Sequence, residues 1–331
     1  MQSSIFVLNF IISYSRIGSL HLFFHDLPPL NFSTNIYKLK LMKCGICINE
    51  KFQEISYNNV NAFKCCHCGY IFKQNVTTDY QSLSEKEFSL FSTNRIKEAT
   101  ELSKIINKIF RDEKGVKLIE IGCGTGSLLH ALQTIGFSVY GFEPSLAAFN
   151  ISKKYYKFQK NVINSYFKNN NFCSDGDVFL LYDVIEHLKG DALLRLLIEI
   201  RNVMKTNSVL VIKSGDAQSL FAWFEIRKWH YFSLEQHISF YNKQNLKLLC
   251  EKLDMEIINF FRFRHAYGGI ALKGLIKNFI KLIVHMIFPI YKKKLKILNF
   301  ELSNDHFIAV IKKKNIRIKE NLKSSVCGSP C

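Results

Sequence analysis

From Gly115 onward, short apolar segments alternate with amphipathic ones, and this alternation restricts the fold more than any other feature of the chain. Alternating strands and helices are typical of a parallel sheet whose strands are joined by crossover helices. The predicted strands are Lys117–Ile121, Ser138–Phe142, Asn161–Asn164, Val178–Tyr182 and Val209–Lys213. The predicted helices are Ser127–Ile135, Ser145–Tyr155, Asp191–Lys205 and Lys243–Leu253. The sequence therefore predicts an α/β fold.

The end of this region has a different pattern. Glu256–Phe263 and His306–Lys312 both have the character of strands, and an apolar, basic insertion at residues 265–304 separates them. Two strands joined without a crossover helix are expected to pair antiparallel, at the edge of the sheet. Residues 315–331 are predicted to be a tail.

The chain before Gly115 divides into three parts. Residues 1–41 carry an apolar patch, Ile5–Ile12, that is too short to span a bilayer and lacks the basic region of a secretory leader. We interpret them as an upstream extension, non-native or disordered, because the segment MKCGIC at Met42 has the character of a natural start. A cysteine-rich part covers 42–75. A helical connector covers 76–114, with Ile96, Leu102, Ile105, Ile106 and Ile109 at helical spacing.

Two Cys-x-x-Cys pairs lie in the cysteine-rich part, 17 residues apart. They are Cys44–Cys47 and Cys65–Cys68. Pairs at this separation can place four thiolates tetrahedrally around one Zn²⁺, and Gly69 suits the tight turn after the second pair. The sequence predicts a structural zinc ribbon in a reducing compartment, with a redox role for either pair as the alternative.

Three alternate glycines follow the first predicted strand of the α/β region, in the segment LIEIGCGTGS at residues 118–127. Such a loop between strand and helix binds the charged end of a nucleotide-like ligand. A dinucleotide fingerprint would have its third glycine one residue later, at Ser127. Glu120 precedes the first glycine, and Glu143 follows 21 residues after Gly122, where a carboxylate can accept both ribose hydroxyls. A carboxylate beside the loop favours a ligand ammonium over a pyrophosphate.

This combination resembles motif I and the following acidic position of class I S-adenosylmethionine (SAM)-dependent methyltransferases. The segment DVFLLYDVIEHL, residues 177–188, is similar to the fourth strand and following turn of that family. The resemblance implies a doubly wound, Rossmann-like sheet of seven strands over residues 115–314, with the last strand antiparallel. It also implies a SAM site formed by Glu120, Gly122, Cys123, Gly124, Gly126, Glu143 and Asp183. His187 is predicted to lie near this site, either in a catalytic role or as a structural hydrogen-bonding residue.

The segment WHYFSLEQHISFYNKQNLKLL, residues 229–249, is predicted to carry the chemistry toward the methyl acceptor. It resembles a segment of sugar C-methyltransferases that combine an N-terminal zinc module with a Glu-His-Leu-Ser-Tyr-Tyr-like sequence. Gln236 replaces the glutamate of that family. His237 is the predicted general base, with Tyr231 and His230 as second choices, because a neutral imidazole can take a proton from a hydroxyl or an activated carbon. The alternative is that His237 only hydrogen-bonds the backbone.

The predicted acceptor is a small molecule, a sugar or a lipid-linked metabolite. Two alternatives remain at this point. One is an RNA base methyltransferase, for which the formal charge of +18 would favour phosphate contacts, with Lys64, Tyr70 and Lys73 as the basic and aromatic residues of the ribbon. The other is a catalytically inactive, zinc-dependent binding module.

Much of the positive charge lies late in the chain: residues 271–331 contain 13 Lys/Arg against 3 Asp/Glu. Within this region, residues 274–300 have the pattern of a basic amphipathic helix. Such a helix binds an anionic membrane surface or packs its apolar face on the sheet or on a second subunit. The sequence thus predicts a cytoplasmic protein, with peripheral contact at the inner face of the membrane as one possibility.

Overall fold

A computed structural model describes residues 42–57, 60–74, 95–111, 114–158, 160–169, 176–219, 222, 226, 229–263 and 305–314. The predictions for the N-terminal extension, the late insertion and the tail lie outside these residues. Among the described residues, no helix has both the length and the apolar character that crossing a bilayer requires.

The described chain contains eleven strands and six α-helices. The strands are β1 Phe52–Tyr57, β2 Val60–Cys65, β3 Ile71–Lys73, β4 Lys117–Ile121, β5 Ser138–Phe142, β6 Val162–Ile163, β7 Val178–Tyr182, β8 Val209–Gly215, β9 Ser239–Phe240, β10 Met255–Phe263 and β11 His306–Lys313. The helices are α1 Arg95–Phe110, α2 Ser127–Ile135, α3 Leu146–Tyr156, α4 Gly190–Val203, α5 His230–Ser233 and α6 Lys243–Lys252. A 3-10 turn, Ile185–His187, follows β7.

Seven strands form the main sheet, in the order β10-β11-β8-β7-β4-β5-β6. The strands from β8 to β6 in this order pair in parallel, whereas β11 is antiparallel to both β8 and β10. The predicted doubly wound sheet with a reversed last strand is therefore confirmed. Of the late pair, β10 is outermost, and its residues after Met255 are half-buried or exposed, as suits an edge strand, whereas the first six residues of β11 are buried.

Two clusters of buried residues pack on the main sheet, and consecutive β4 residues belong to different clusters because strand side chains alternate between faces. Ile119 belongs to one cluster and Leu118 to the other. The second cluster also contains Leu102 and Ile106 of α1. Ile96 was predicted to lie on the apolar face of this helix but is 67% exposed, because the contact with the core begins one turn later, at Ala99.

A second, four-stranded sheet has the order β1-β2-β3-β9. Its first three strands come from the cysteine-rich part, while β9 lies about halfway between α5 and α6. Ile71 pairs with Phe240 and Phe72 with Ser239. The sequence did not predict this pairing, which joins the ribbon to the segment that carries His237.

Candidate active site

The glycine loop after β4 has a left-handed backbone at all three glycines, with φ of 74° at Gly122, 54° at Gly124 and 77° at Gly126. The amide groups of Gly122 and Cys123 donate to the carbonyl oxygen of Phe142 at 2.8 and 3.1 Å, which fixes the loop against the end of β5. A Cβ on Gly122 would lie 2.9 Å from a Val184 methyl group. A Cβ on Gly124 would meet no atom within 4 Å, so the space above this residue is open.

The two predicted acidic residues flank this loop. Glu120 is 3% exposed, and its Oε2 atom has no hydrogen-bond partner within the described part of the chain. Burial raises the pKa of Glu120 to about 8, although the charge of Arg95 opposes the shift. The Glu143 carboxylate accepts from the Gly124 amide and from the Ser145 amide, each at 2.7 Å. A buried carboxylate oxygen without a donor is costly unless it is protonated or contacts a cation or a hydrogen-bond donor, and a ligand ammonium would be such a cation.

Asp183, at the end of β7, lies in an ion network that the sequence did not indicate. Its carboxylate is 3.0 Å from Lys213 Nζ and 3.3 Å from Arg95 Nη1, and Glu98 pairs with both cations. Burial acts to raise the pKa of Asp183, but Lys213 and Arg95 outweigh it and hold the pKa well below the usual range. Arg95 and Glu98 begin α1, so the connector helix contributes charged residues to the loop region. The spacing of three residues between Arg95 and Glu98, which suits an ion pair on a helix, was the sequence signal for this network.

Glu186, in the 3-10 turn that follows β7, is a fully buried carboxylate. Its Oε2 accepts from the Ser214 hydroxyl at 2.9 Å, and its Oε1 accepts from the Tyr231 hydroxyl. Burial raises the pKa of Glu186 to about 7, with a further contribution from the negative charge of Asp183. The same contacts engage the Tyr231 hydroxyl, and burial raises the pKa of Tyr231 well above its usual value.

The two predicted histidines face each other beside Glu186, with ring centroids 5.0 Å apart. His187 Nδ1 donates to the carbonyl of Gln236 at 2.8 Å, and His237 Nδ1 donates to the carbonyl of Tyr231 at 2.9 Å. A carbonyl can only accept, so each Nδ1 carries the proton and each Nε2 carries the lone pair. Burial lowers the pKa of His187 to about 4 and that of His237 to about 3. Both imidazoles are therefore neutral at pH 7.

One potential ligand atom from each of Glu186, His187 and His237 lies within 4.8 Å of the others, a grouping that can hold a cation. However, both Glu186 oxygens already accept hydroxyl hydrogen bonds. This grouping is therefore better described as a hydrogen-bonded network. The side chain of His230 is outside the described residues.

The four ribbon cysteines lie together, with their sulfur atoms within 4.8 Å of one another. The Sγ atoms of Cys44 and Cys68 are 3.7 Å apart, and those of Cys47 and Cys65 are 3.4 Å apart. Tetrahedral Zn²⁺ with Zn–S bonds of about 2.3 Å separates its sulfurs by about 3.8 Å, so this donor set fits the ion. Gly69 has a φ of 71° and donates to the Cys65 carbonyl at 2.9 Å, as expected for the turn of a knuckle.

The ribbon packs directly on the main domain, against the segment that follows His237 and the start of α4. The Tyr70 hydroxyl lies 2.7 Å from the Ser239 hydroxyl and accepts from the Gly190 amide at 2.9 Å. Asn245 Nδ2 donates to the Cys68 carbonyl at 2.6 Å. Gly45 approaches the start of α4 so closely that a Cβ there would lie 3.0 Å from the Asp191 amide nitrogen. The Cys68–Tyr70 turn thus contacts both the segment after the 3-10 turn and the segment after His237.

The order of strands, the reversed last strand and the glycine loop after β4 together define the Rossmann-like methyltransferase fold. A family model described as "Methyltransferase domain" matches residues 94–259, just over half of the chain. The chain therefore belongs to this methyltransferase family. Together with the motif I loop, this identifies the protein as a SAM-dependent methyltransferase.

Among solved structures, the chain is similar to a SAM-dependent methyltransferase from Archaeoglobus fulgidus, with 20% identity, a TM-score of 0.47, and coverage of 71% of this chain and 100% of that one. It is also similar to the plantazolicin methyltransferase BpumL in complex with a triazolic desmethylPZN analog and SAH, with 16% identity, a TM-score of 0.44, and coverage of 70% and 89%. A magnesium protoporphyrin IX methyltransferase (ChlM) from Synechocystis PCC 6803 with bound SAM has 10% identity, a TM-score of 0.41, and coverage of 72% and 87%. Comparison with curated proteins gives no significant match.

Proposed function

We propose that the protein transfers the methyl group of SAM to a small-molecule acceptor, a sugar or a lipid-linked glycan, with His237 as the general base. The observation that carries the proposal is the pairing of two features. One is the unpartnered Glu120 carboxylate oxygen beside the open space at Gly124. The other is a neutral His237 whose Nδ1 is already bonded, which leaves Nε2 as its basic atom.

On the donor side, Glu120 binds the ammonium of the methionyl group, and the glycine loop lets the ligand approach the backbone closely. Cys123 contributes the backbone of this loop, since its side chain is buried. Glu143 accepts the ribose hydroxyls through the lone pairs that its two amide contacts leave free. Asp183, held ionised by Lys213 and Arg95, lies over the cofactor. SAM supplies the electrophilic methyl group.

On the acceptor side, the nucleophile of the acceptor forms a bond to the methyl carbon while the carbon–sulfur bond breaks. The proton of an acceptor hydroxyl then passes to His237 Nε2. As the new bond forms, the acceptor hydroxyl becomes more acidic, so the neutral imidazole of His237 can take its proton although burial lowers the pKa of this histidine. His187 holds the backbone at Gln236 in place, and the hydrogen bond from Tyr231 to Glu186 holds the tyrosine ring.

The packing of the ribbon favours a small acceptor over RNA. Of the three residues that would form a basic and aromatic platform on the ribbon, Tyr70 is 2% exposed and Lys73 is 3% exposed. Only Lys64 is exposed. A buried tyrosine cannot stack on bases, so the ribbon has no exposed aromatic platform for a nucleic-acid strand. Zn²⁺, bound by Cys44, Cys47, Cys65 and Cys68, has a structural role in this proposal, because four thiolates close its coordination shell.

The test is incubation of the zinc-loaded protein with methyl-labelled SAM and fractionated cell extracts. We expect label in the small-molecule or lipid fraction and none in RNA. The His237→Gln variant should lower turnover by about 10²- to 10⁴-fold with unchanged SAM affinity, as for loss of a general base. The exposed His130, changed to Gln, is the matched control. Label in RNA would overturn the acceptor class, and full turnover by His237→Gln would overturn the base.

A further inference from the structure

Lys73, the last residue of β3, is a buried cation in the wall between the ribbon and the acceptor side. It is 3% exposed. Its ammonium donates to the Leu234 carbonyl at 2.8 Å and lies 5.2 and 5.6 Å from the ring centroids of Phe232 and Phe240. Within the described part of the chain, no carboxylate forms an ion pair with it. The negative charge that raises the pKa of Lys73 is that of Glu235, which is exposed.

A buried ammonium with one carbonyl partner is costly, because desolvation of a charge is offset only by an opposite charge or by several hydrogen bonds. Burial lowers the pKa of Lys73 to about 8, so most molecules still carry the charge at pH 7. Among the described residues, only one of its three N–H donors has a hydrogen-bond acceptor. The two aromatic rings contribute a favourable but smaller electrostatic attraction.

Lys73 belongs to the same wall as the proposed base. Its backbone amide donates to the carbonyl of Ile238, the residue after His237, at 2.8 Å. Its charge also contributes to the lowered pKa of His237, after the larger effects of burial and of His187. The ammonium is thus within electrostatic reach of the atom that receives the proton.

A second buried polar group in this wall is the indole of Trp229. Trp229 is 1% exposed, and its Nε1 forms no hydrogen bond with the residues that the structure describes. Its ring centroid is 5.9 Å from that of Phe240, the ring that Lys73 also contacts. Lys73 and Trp229 thus lie against the same ring, and each has a buried donor that an anionic group could satisfy.

We propose that Lys73 binds a negatively charged group of the methyl acceptor, a phosphate or a carboxylate, and that Trp229 provides a second donor to it. The inference rests on the proposed function and deepens it: the ribbon supplies the specificity-determining cation, and neutral acceptors are excluded. This also gives a reason for the zinc ribbon to pack on the acceptor side rather than extend from it.

The first test measures thermal unfolding with inorganic pyrophosphate or with citrate at constant ionic strength, so that the phosphate and carboxylate sources are compared. Wild-type protein should gain several degrees with at least one of them, as for a ligand that binds only the folded state. Lys73→Met should lose this gain while its own melting temperature stays equal or rises, because an apolar side chain replaces a buried charge. Trp229→Phe should reduce the gain. Lys64→Met, an exposed lysine on β2 of the same ribbon, should retain it.

An equal anion-dependent gain in Lys73→Met and Lys64→Met, or no gain in the wild type, would overturn the site. The second test repeats the SAM-labelling reaction on extracts separated by anion exchange, with and without phosphatase treatment. We expect the labelled acceptor in the retained fraction, and loss of retention after phosphatase identifies the phosphate source. A labelled acceptor in the unretained fraction contradicts the Lys73 proposal but leaves the methyltransferase proposal intact. If the anion effect depends on Lys73 but no fraction is labelled, the anion site stands and the methyltransferase proposal fails.

Discussion

The donor side and the acceptor side of the active site are built in different ways. The donor side is local: Glu120, the glycine loop and Glu143 lie within 24 consecutive residues, on two adjacent parallel strands. The acceptor side is assembled from distant segments, as in the contact between Tyr70 and Ser239, which are 169 residues apart in sequence. The comparison shows that the residues of the proposed cofactor site are close in sequence, whereas those of the proposed acceptor side come together only through packing of the cysteine-rich part on the main domain.

The largest expected effect follows from loss of a zinc ligand. Cys68→Ser should abolish the metal site and lower the melting temperature by ten degrees or more, since metal binding and folding of small zinc modules are coupled. The adjacent Cys66→Ser should have no effect, because Cys66 is exposed. Metal content and thermal unfolding measure the difference. A single transition, in which the ribbon and the main domain unfold together, would show that the acceptor side depends on the ribbon. Two separate transitions would show that the two parts unfold independently.

On the donor side, Gly124→Ala tests whether the open space above the loop is a ligand site. Gly124 and Gly115 both have positive φ and no atom within 4 Å of an added Cβ, so either substitution costs about 1 kcal/mol in backbone strain. Only Gly124→Ala should weaken SAM, by tenfold or more, as measured by equilibrium binding. Equal SAM affinities in the two variants would place the ligand elsewhere.

A smaller effect is expected from loss of the Tyr70 hydroxyl, which joins the ribbon to the main domain. Tyr70→Phe leaves the Gly190 amide and the Ser239 hydroxyl without this partner, which should cost about 1–2 kcal/mol in the free energy of unfolding. Hydrogen exchange should become faster at residues 238–240 but not in the glycine loop. Tyr166→Phe, at a residue that is 70% exposed, is the control. Unchanged exchange in Tyr70→Phe would mean that the ribbon does not support the acceptor segment.

The donor side could be predicted from the sequence because its elements are consecutive. Apolar runs and glycines gave the limits of β4 and α2 to the residue, and the register of β4 with β5 brings Glu120 and Glu143 to the same edge. The cysteine spacing likewise predicted four sulfurs close together. In both cases, residues at short separation carry the pattern.

The acceptor side could be predicted only in part. His187 and His237 were singled out, and the structure brings them within ring contact. The neighbouring Glu186 was not recognised as the carboxylate that bonds Tyr231, and Lys73 was considered only as a residue that could contact RNA. The pairing of β3 with the two-residue β9 has no periodic signal, and the ion network from α1 depends on long-range packing. Such contacts are set by tertiary structure rather than by local pattern.

The central claim, that Glu120 and the glycine loop bind SAM, is tested most directly by calorimetric titration of the zinc-loaded protein. Because burial raises the pKa of Glu120 to about 8, most of this carboxyl is protonated at pH 7, and binding of the ligand ammonium should expel the proton. Titrations in two buffers with different ionisation enthalpies should therefore give one site, proton release at pH 7, and an affinity that rises with pH up to about 8. Glu120→Gln should lose the proton release and at least tenfold in affinity, while Glu101→Gln on the exposed side of α1 should behave as the wild type. No heat with wild-type protein, or unchanged binding by Glu120→Gln, would contradict the account.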